Sequence, residues 1–369
     1  VIINQIHIHR ILLPFSNNFS HSRKEGRTAK NVIVEIIAEQ GQIKGYGEGA
    51  PRPYVTGETQ ESVTKAIIDF LQVDSFPWHL NDVSQIWNFV GGLPVGKAYH
   101  SAICALEASL LDALAKSQGK SVIEYFPQDF YSAKICYGAG IPLCNRARMI
   151  EMCHTIKRMK INKIKLKMGK EFKRNKEIIQ TARQIFGVND DLKIDVNGAW
   201  NNELALEHVG LIRDNKISVV EQPMMPGDLS IAHFAKIMQD AGVLLMADES
   251  ACSLADMERI VEEGHYKMVN VRLSKCGGFE NSFKIIDYLR KAGVFFQIAA
   301  HLGESGILSA AGRVLSVLCS DAVYYDGSYD EFLLRENVTL ENVSFGLGGE
   351  AGPLKGPGLG VEINHESLQ

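Results

Sequence analysis

No two cysteines in this chain stand in a CxxC pair. The seven, at 104, 136, 144, 153, 252, 276 and 319, are scattered and odd in number, which argues against a disulfide framework and against a zinc site. Free buried thiols in a reducing cytosol are the simplest expectation, and with them a cytoplasmic location. Apolar runs are short, and none reaches the ~20 residues that a bilayer-spanning helix needs. The opening, VIINQIHIHRILLPF, lacks a basic region followed by an apolar core, so no secretory signal is expected. Val1 suggests that an initiating methionine precedes this numbering. Basic residues form no patch and the net charge is −4, which favours neither nucleic acid nor an acidic membrane surface as a partner. What is left is a globular composition, 46% hydrophobic and 22% charged. At 369 residues the chain is too long for one small core and suits two domains.

Alternation and turn residues predict a three-stranded meander at the start, with strands over 1–13, 31–39 and 43–48. The polar stretch FSNNFSHSRKEGRTAK between the first two reads as a loop, and its length makes Phe15–Thr28 a candidate lid. The turn-rich PRPYVTGET follows. Helical periodicity then dominates, clearest over 99–119, where Gly119 suits a helix C-terminus. From about residue 134 strand and helix patterns alternate. Eight strand candidates lie at 135–141, 163–168, 193–197, 219–223, 244–249, 268–273, 295–301 and 322–326. Alternating βα units imply a parallel sheet, and eight imply a closed barrel. The Gly- and Pro-rich tail is expected to pack back on the N-terminal domain.

The chemistry sits in a near-constant interval. Asp195, Glu221 and Asp248 are 26 and 27 residues apart, Lys275 lies 27 beyond the last acid, and Lys167 lies 28 before the first. One βα unit of a barrel takes about 25 residues, so each strand delivers one functional group to the same end. Three carboxylates there can hold a hard divalent cation, Mg²⁺ or alternatively Mn²⁺. Two lysines on opposite sides can move protons. A lone strand lysine is usually solvated, and an acid after a strand is often a helix N-cap; the shared spacing of all five weighs against that.

Removing a proton next to a carboxylate places a second negative charge on it as an enediolate, which a bound cation stabilises. The base must then be a neutral lysine, its pKa lowered by neighbouring positive charge or by desolvation. Lys165 and Lys167, two apart on one strand, face the same way and each disfavours the other's charge. Cys276 reads as a small hydrophobe. Arg272 is expected to point into the barrel with Asn270 and to pair with Asp248. His7, His9 and His301 read as structural or solvated, and His21, in the candidate lid, as a possible substrate contact.

The segments KIKLKMG, DVNGAW, VEQP, ADES, NVRLSKCGG and the ES of HLGES, in this order and spacing, resemble the enolase superfamily. The resemblance is to its muconate-cycloisomerase subgroup (mandelate racemase/muconate lactonizing enzyme-like), and it covers nearly the whole chain. It implies an α/β fold, a modified TIM (β/α) barrel over residues 129–328. An α+β capping domain over 1–128 would be completed by a C-terminal tail over 329–369. It casts Lys167 and Lys275 as the acid/base pair and Asp195, Glu221 and Asp248 as Mg²⁺ ligands. Lys165 would assist at the substrate carboxylate, with Glu304 nearby.

Substrate choice in this subgroup lies in the cap loops and the eighth strand end, here Phe15–Thr28, Pro53–Thr56 and Tyr325–Tyr329. This makes His21, Tyr54 and Asp326 the candidate substrate contacts. Dipeptide epimerases carry an Asp-x-Asp after the eighth strand; this chain has Asp326-Gly327-Ser328. Asp326 would suit a cationic group, and Arg23, Lys24 and Arg27 an anionic one. The partner is a small-molecule carboxylate, and a homo-oligomer is the expected assembly. Three functions follow: a racemase or epimerase of an N-acyl amino acid or dipeptide, a cycloisomerase or o-succinylbenzoate synthase-type lyase, and a catalytically silent metal- or ligand-binding barrel.

Overall fold

The computed structural model describes residues 1–21 and 24–368, and their side chains outside 17–27. The cap has strands β1 (Ile3–His21), β2 (Lys24–Ala38) and β3 (Ile43–Gly49), then helices α1 (Gln60–Phe70), α2 (Val83–Gly91) and α3 (His100–Gln118). Next come β4 (Ile135–Cys136), β5 (Ala139–Ile141), α4 (Arg146–Arg158), β6 (Lys163–Lys167), α5 (Phe172–Phe186), β7 (Asp191–Asp195) and α6 (Asn202–Asp214). They are followed by β8 (Ile217–Glu221), α7 (Ile231–Asp240), β9 (Leu244–Ala247), α8 (Leu254–Glu263), β10 (Met268–Val271) and the single turn α9 (Leu273–Cys276). The series ends with α10 (Gly278–Ala292), β11 (Phe295–Ala299), α11 (Gly306–Leu318), β12 (Tyr324–Asp326), α12 (Asp330–Leu333) and, in the tail, β13 (Glu350–Ala351).

In the cap, β1, β2 and β3 form an antiparallel meander. One face of β3 carries Gly45, Gly47 and Gly49. A Cβ on Gly47 would lie 2.1 Å from the Ala105 carbonyl oxygen, and one on Gly49 2.2 Å from that of Ser101. The backbone of α3 therefore rests directly on the strand, an approach that any side chain at these positions would prevent.

The reading of this stretch as a loop needs correction. Beyond Pro14↔Thr28 the two strands shift register and resume pairing at Phe19↔Gly26, Ser20↔Glu25 and His21↔Lys24. The polar stretch is a two-stranded ribbon rather than a loop. Polarity reports exposure to water, whereas an antiparallel pair is held by backbone hydrogen bonds that any side chain permits. The ribbon's root seats on the barrel: Arg335 N–H donates to Pro14 C=O at 2.9 Å and Ser16 Oγ to Leu334 C=O at 2.7 Å.

The eight strands β5 to β12 pair in sequence order, all parallel. The first and last meet where Gly138 N–H donates to Tyr325 C=O at 2.8 Å, so the barrel is nearly closed. The first strand candidate, 135–141, divides at this point. Residues of β4 pair with β13, while β5 joins the barrel.

Buried carboxylates of the cap bind the starts of barrel helices. Glu48 of β3 accepts from Ser305 N (3.0 Å), Ser305 Oγ (2.6 Å) and Leu308 N (3.0 Å) at the beginning of α11. Glu107 of α3 accepts from the backbone N–H groups of Phe279 and Glu280 at the beginning of α10. Each satisfies donors that a helix N-terminus leaves unpaired. The tail closes over the cap, with Val122 N–H donating to Gly358 C=O and Leu359 N–H to Asp112 Oδ1. Among the described residues no helix is long and apolar enough to cross a membrane.

Candidate active site

Strand register builds the site. Lys167 stands opposite Asp195, and Asp195 opposite Glu221, at the ends of three adjacent strands. Glu221 is level with Met246, so Asp248, two residues on, faces the same side. All three acids are fully buried. Three buried carboxylates are costly without countercharge, and lysines and an arginine supply it. Lys167 Nζ lies 2.5 Å from Asp195 Oδ2 and 2.8 Å from Asn197 Oδ1. Lys165 Nζ lies 2.9 Å from Asp326, 3.3 Å from Glu221 and 3.8 Å from Asp195. Arg272 pairs with Asp248 and lies 3.6 Å from Glu221. Lys275 Nζ is 2.9 Å from Asp248 Oδ1.

This network opposes the expected lysine shift at Lys165 and Lys275. Burial pulls the Lys165 ammonium down, but Asp326, Glu221 and Asp195 more than restore it, and it stands well above the ordinary lysine value. Lys275 is likewise raised, by Asp248 against burial. Lysine–lysine repulsion was the effect to expect from KxK alone; the carboxylates arriving from other strands outweigh it. Glu221 is raised by burial and then by Asp195, while Asp248, facing Arg272 and Lys275, is lowered despite burial.

The donor set of Asp195, Glu221 and Asp248 is all oxygen and suits a hard cation such as Mg²⁺. Their nearest partners here are the cations just described. Among the described residues the side chains whose ligand atoms fall within 4.8 Å of one another are instead His7, His9 and Glu35, on the cap. Lys165 reaches both Asp195 and Glu221, and Arg272 both Glu221 and Asp248.

A cavity of about 470 Å³ opens above the row. Lys165, Lys167, Asn197, Arg272, Glu304 and Tyr54 line its inner end; Met152 and Ile156 of α4 and Met159 just after it, with Phe332, Leu333 and Phe345, form an apolar wall. Glu304, buried, is pushed up to about 8.

The other site expectations fall differently. Lys275 is fully buried on α9 and does not line the cavity; Asp248 separates it from the row. Its turn is gripped by the cap, since His100 Nδ1 lies 2.6 Å from Lys275 C=O and Ser274 Oγ accepts from Ala50 N–H at 2.8 Å. Asp326 was expected at the rim, reaching the distal end of a substrate. It is buried inside the barrel, paired with Lys165 and, at 2.8 Å, with Lys193. The eighth strand is short and its last side chain turns inward, beneath Lys165. Ser328, where a second acid would complete Asp-x-Asp, accepts from Arg313 at 3.0 Å. The side chains of His21, Lys24 and Arg27, and all of Arg23, lie outside the described residues.

Lys193, Asn197 and Asp330 went unread. Lys193 and Asn197 share the inward parity of Asp195, so strand alternation carried the signal for both. Asp330 lines the cavity wall, with Asn337 Nδ2 2.6 Å from its Oδ2. It opens the short helix α12, which has no periodicity to mark it.

Comparison with known proteins matches this architecture from end to end. Residues 148–367 match the family model "Enolase C-terminal domain-like", and residues 10–126 the "Mandelate racemase / muconate lactonizing enzyme, N-terminal domain". The chain is 26% identical to the N-succinyl-L-Arg/Lys racemase of Bacillus cereus, over 100% of this chain and 97% of that protein. The crystal structure of N-succinyl Arg/Lys racemase from Bacillus cereus superposes with a TM-score of 0.89 at 24% identity, covering 100% and 97% of the two chains. The dipeptide epimerase of Enterococcus faecalis, solved with Mg and the dipeptide L-Leu-L-Tyr, superposes with a TM-score of 0.84 at 22% identity, covering 98% and 100%. The chain is an enzyme of the enolase superfamily, in its mandelate racemase/muconate lactonizing enzyme branch.

Proposed function

We propose that the chain racemises or epimerises an N-acyl amino acid by moving the proton on the carbon next to its carboxylate. The observation that carries this is the register-aligned row Lys167, Asp195 and Glu221, with Asp248 and Lys165 beside it, beneath a cavity with an apolar wall. Asp195, Glu221 and Asp248 would hold Mg²⁺, as the Mg-bound dipeptide epimerase suggests by analogy. When bound, that ion supplies stabilisation of the negative charge that builds on the substrate carboxylate. Lys165 directs its ammonium toward the same charge. Lys167 lies at the cavity surface and takes or returns the proton on one face. Lys275 serves the opposite face once its Nζ leaves Asp248.

The N-acyl preference rests on the eighth strand end. Asp326 is occupied by two lysines and Ser328 by Arg313, so the pair that would hold a dipeptide's ammonium is engaged elsewhere. Asp330 is one of the acids lining the cavity, and burial raises its pKa. A carboxyl so placed suits an amide better than an ammonium. The test is α-proton exchange in D₂O, followed by mass spectrometry, on N-acyl amino acids and dipeptides. Exchange with N-acyl substrates is expected; turnover of dipeptides alone would overturn the preference.

A second reading has its own observation. Of the two lysines cast as bases, Lys167 lines the cavity and Lys275 does not. A single base suffices for a lyase or cycloisomerase of the o-succinylbenzoate synthase type. Product analysis separates the two: a racemase returns both enantiomers of its substrate, a lyase an eliminated or rearranged product.

A further inference from the structure

The capping sheet carries a second cluster of ligand-type side chains, remote from the barrel row. His7 and His9 are two apart on β1 and project from one face. Glu35 of β2 stands directly opposite His7 in the ladder. His7 Nδ1 and His9 Nε2 lie 3.3 and 3.1 Å from the same oxygen, Glu35 Oε2. The other oxygen, Oε1, accepts from Tyr46 Oη at 2.9 Å and faces Lys44 Nζ at 3.2 Å. One oxygen of Glu35 is thus anchored within the sheet while the other is presented to two imidazoles. The ligand atoms of all three residues fall within 4.8 Å of one another.

We propose that His7, His9 and Glu35 form a site for a divalent transition-metal ion of the zinc class, independent of the barrel. Zinc binds imidazole nitrogen and carboxylate oxygen at about 2.0–2.2 Å, which makes the edge of its tetrahedron about 3.4 Å. The spacings to Glu35 Oε2 already approach that edge, so a metal enters with small side-chain shifts. Tyr46 and Lys44 orient the carboxylate, as outer partners of metal ligands do. The His7 side chain is half exposed, which leaves a coordination position open to water. Donor type separates this site from the barrel acids: two nitrogens and one oxygen select zinc, three oxygens a harder ion. A bound ion would clamp β1 to β2 below the ribbon whose root meets the barrel.

The test is zinc titration of chelator-stripped full-length protein, with ZnCl₂ as probe and a chromogenic chelator as competitor. Wild type, His7→Gln and the double variant His7→Gln/His9→Gln are compared, each first verified as folded by circular dichroism. The number of zinc equivalents bound should fall by one in the double variant, whatever the barrel takes up. His7→Gln alone should weaken that equivalent at least ~10-fold. In wild type, zinc should shift the imidazole resonances of His7 and His9. Equal stoichiometry in wild type and double variant would overturn the proposal. So would imidazole resonances that ignore zinc, which would mark the cluster as hydrogen-bonded ion pairs only. Because His7 is half exposed, its variant keeps the test decisive even if the double variant fails to fold.

Discussion

Among single side chains, Lys167 and Asp326 should separate cleanly by what their removal damages. Lys167 lines the cavity and contacts Asp195 and Asn197. Lys167→Ala should abolish turnover while leaving the protein folded by circular dichroism; measurable steady-state activity would remove Lys167 from the proposed chemistry. Asp326→Ala should act on stability instead. It takes the carboxylate partner from the buried Lys193 ammonium and one of three from Lys165, and breaking a buried pair by removing one partner costs about 3–5 kcal/mol. A urea melt reads this directly, and a variant as stable as wild type that differs only in KM would restore Asp326 to the substrate's distal end. The sequence made the three acids, Lys167 and Lys275 legible because they share an interval. Lys193 went unread although its parity with Asp195 marks it as inward: what holds a lysine there is Asp326, 133 residues away in sequence, and that pairing is not written locally. The sign of the lysine shifts was hidden for the same reason, since it depends on which carboxylates converge.

The elements that join the cap to the barrel do so through buried acids. Glu107 reaches from α3 to the first N–H groups of α10, and burial pushes its carboxyl up to about 8 in spite of those donors. In the unfolded chain the same group titrates near ~4.3. Between these values the folded state binds the proton and the unfolded state releases it. The contribution of Glu107 to stability is therefore fully present below about pH 4 and is lost as pH rises toward 8. Melting temperatures of wild type and Glu107→Gln at pH 5 and pH 8 should show the variant gaining on wild type at the higher pH. Parallel lines would mean that Glu107 is ionised throughout. Helix α3 and most strands were visible from periodicity, and seven of the eight barrel strands fell within a residue or two of their expected bounds. The ribbon of β1 and β2 was not, because its pairing is written in backbone hydrogen bonds and leaves no apolar alternation. Nor was the division of 135–141, which follows from Gly138 meeting Tyr325 across the closing seam.

For the molecule as a whole, the governing fact is that three buried carboxylates are held together by protein cations. A divalent ion offers the same compensation with more charge in less space. Stripping metal with EDTA should extinguish activity and adding Mg²⁺ or Mn²⁺ should restore it, while Asp248→Asn should prevent the restoration. Undiminished turnover in EDTA would remove the metal from the proposal. Barrel and cap were both legible as classes of structure from their strand and helix patterns. Their mutual grip was not, because Glu48, Glu107 and His100 each look like ordinary surface or helix residues until the fold brings them to the other unit.

That grip has an evolutionary corollary. The turn bearing Lys275 rests on His100 and on Ala50, both residues of the cap. A graft of a foreign cap onto this barrel, meant only to alter which substrates are admitted, would also replace the bedding of a proposed proton carrier. Substrate range and proton transfer are then inherited together here, and a successful chimera would have to carry the contacts at positions 50 and 100 along with the loops that it was built to exchange.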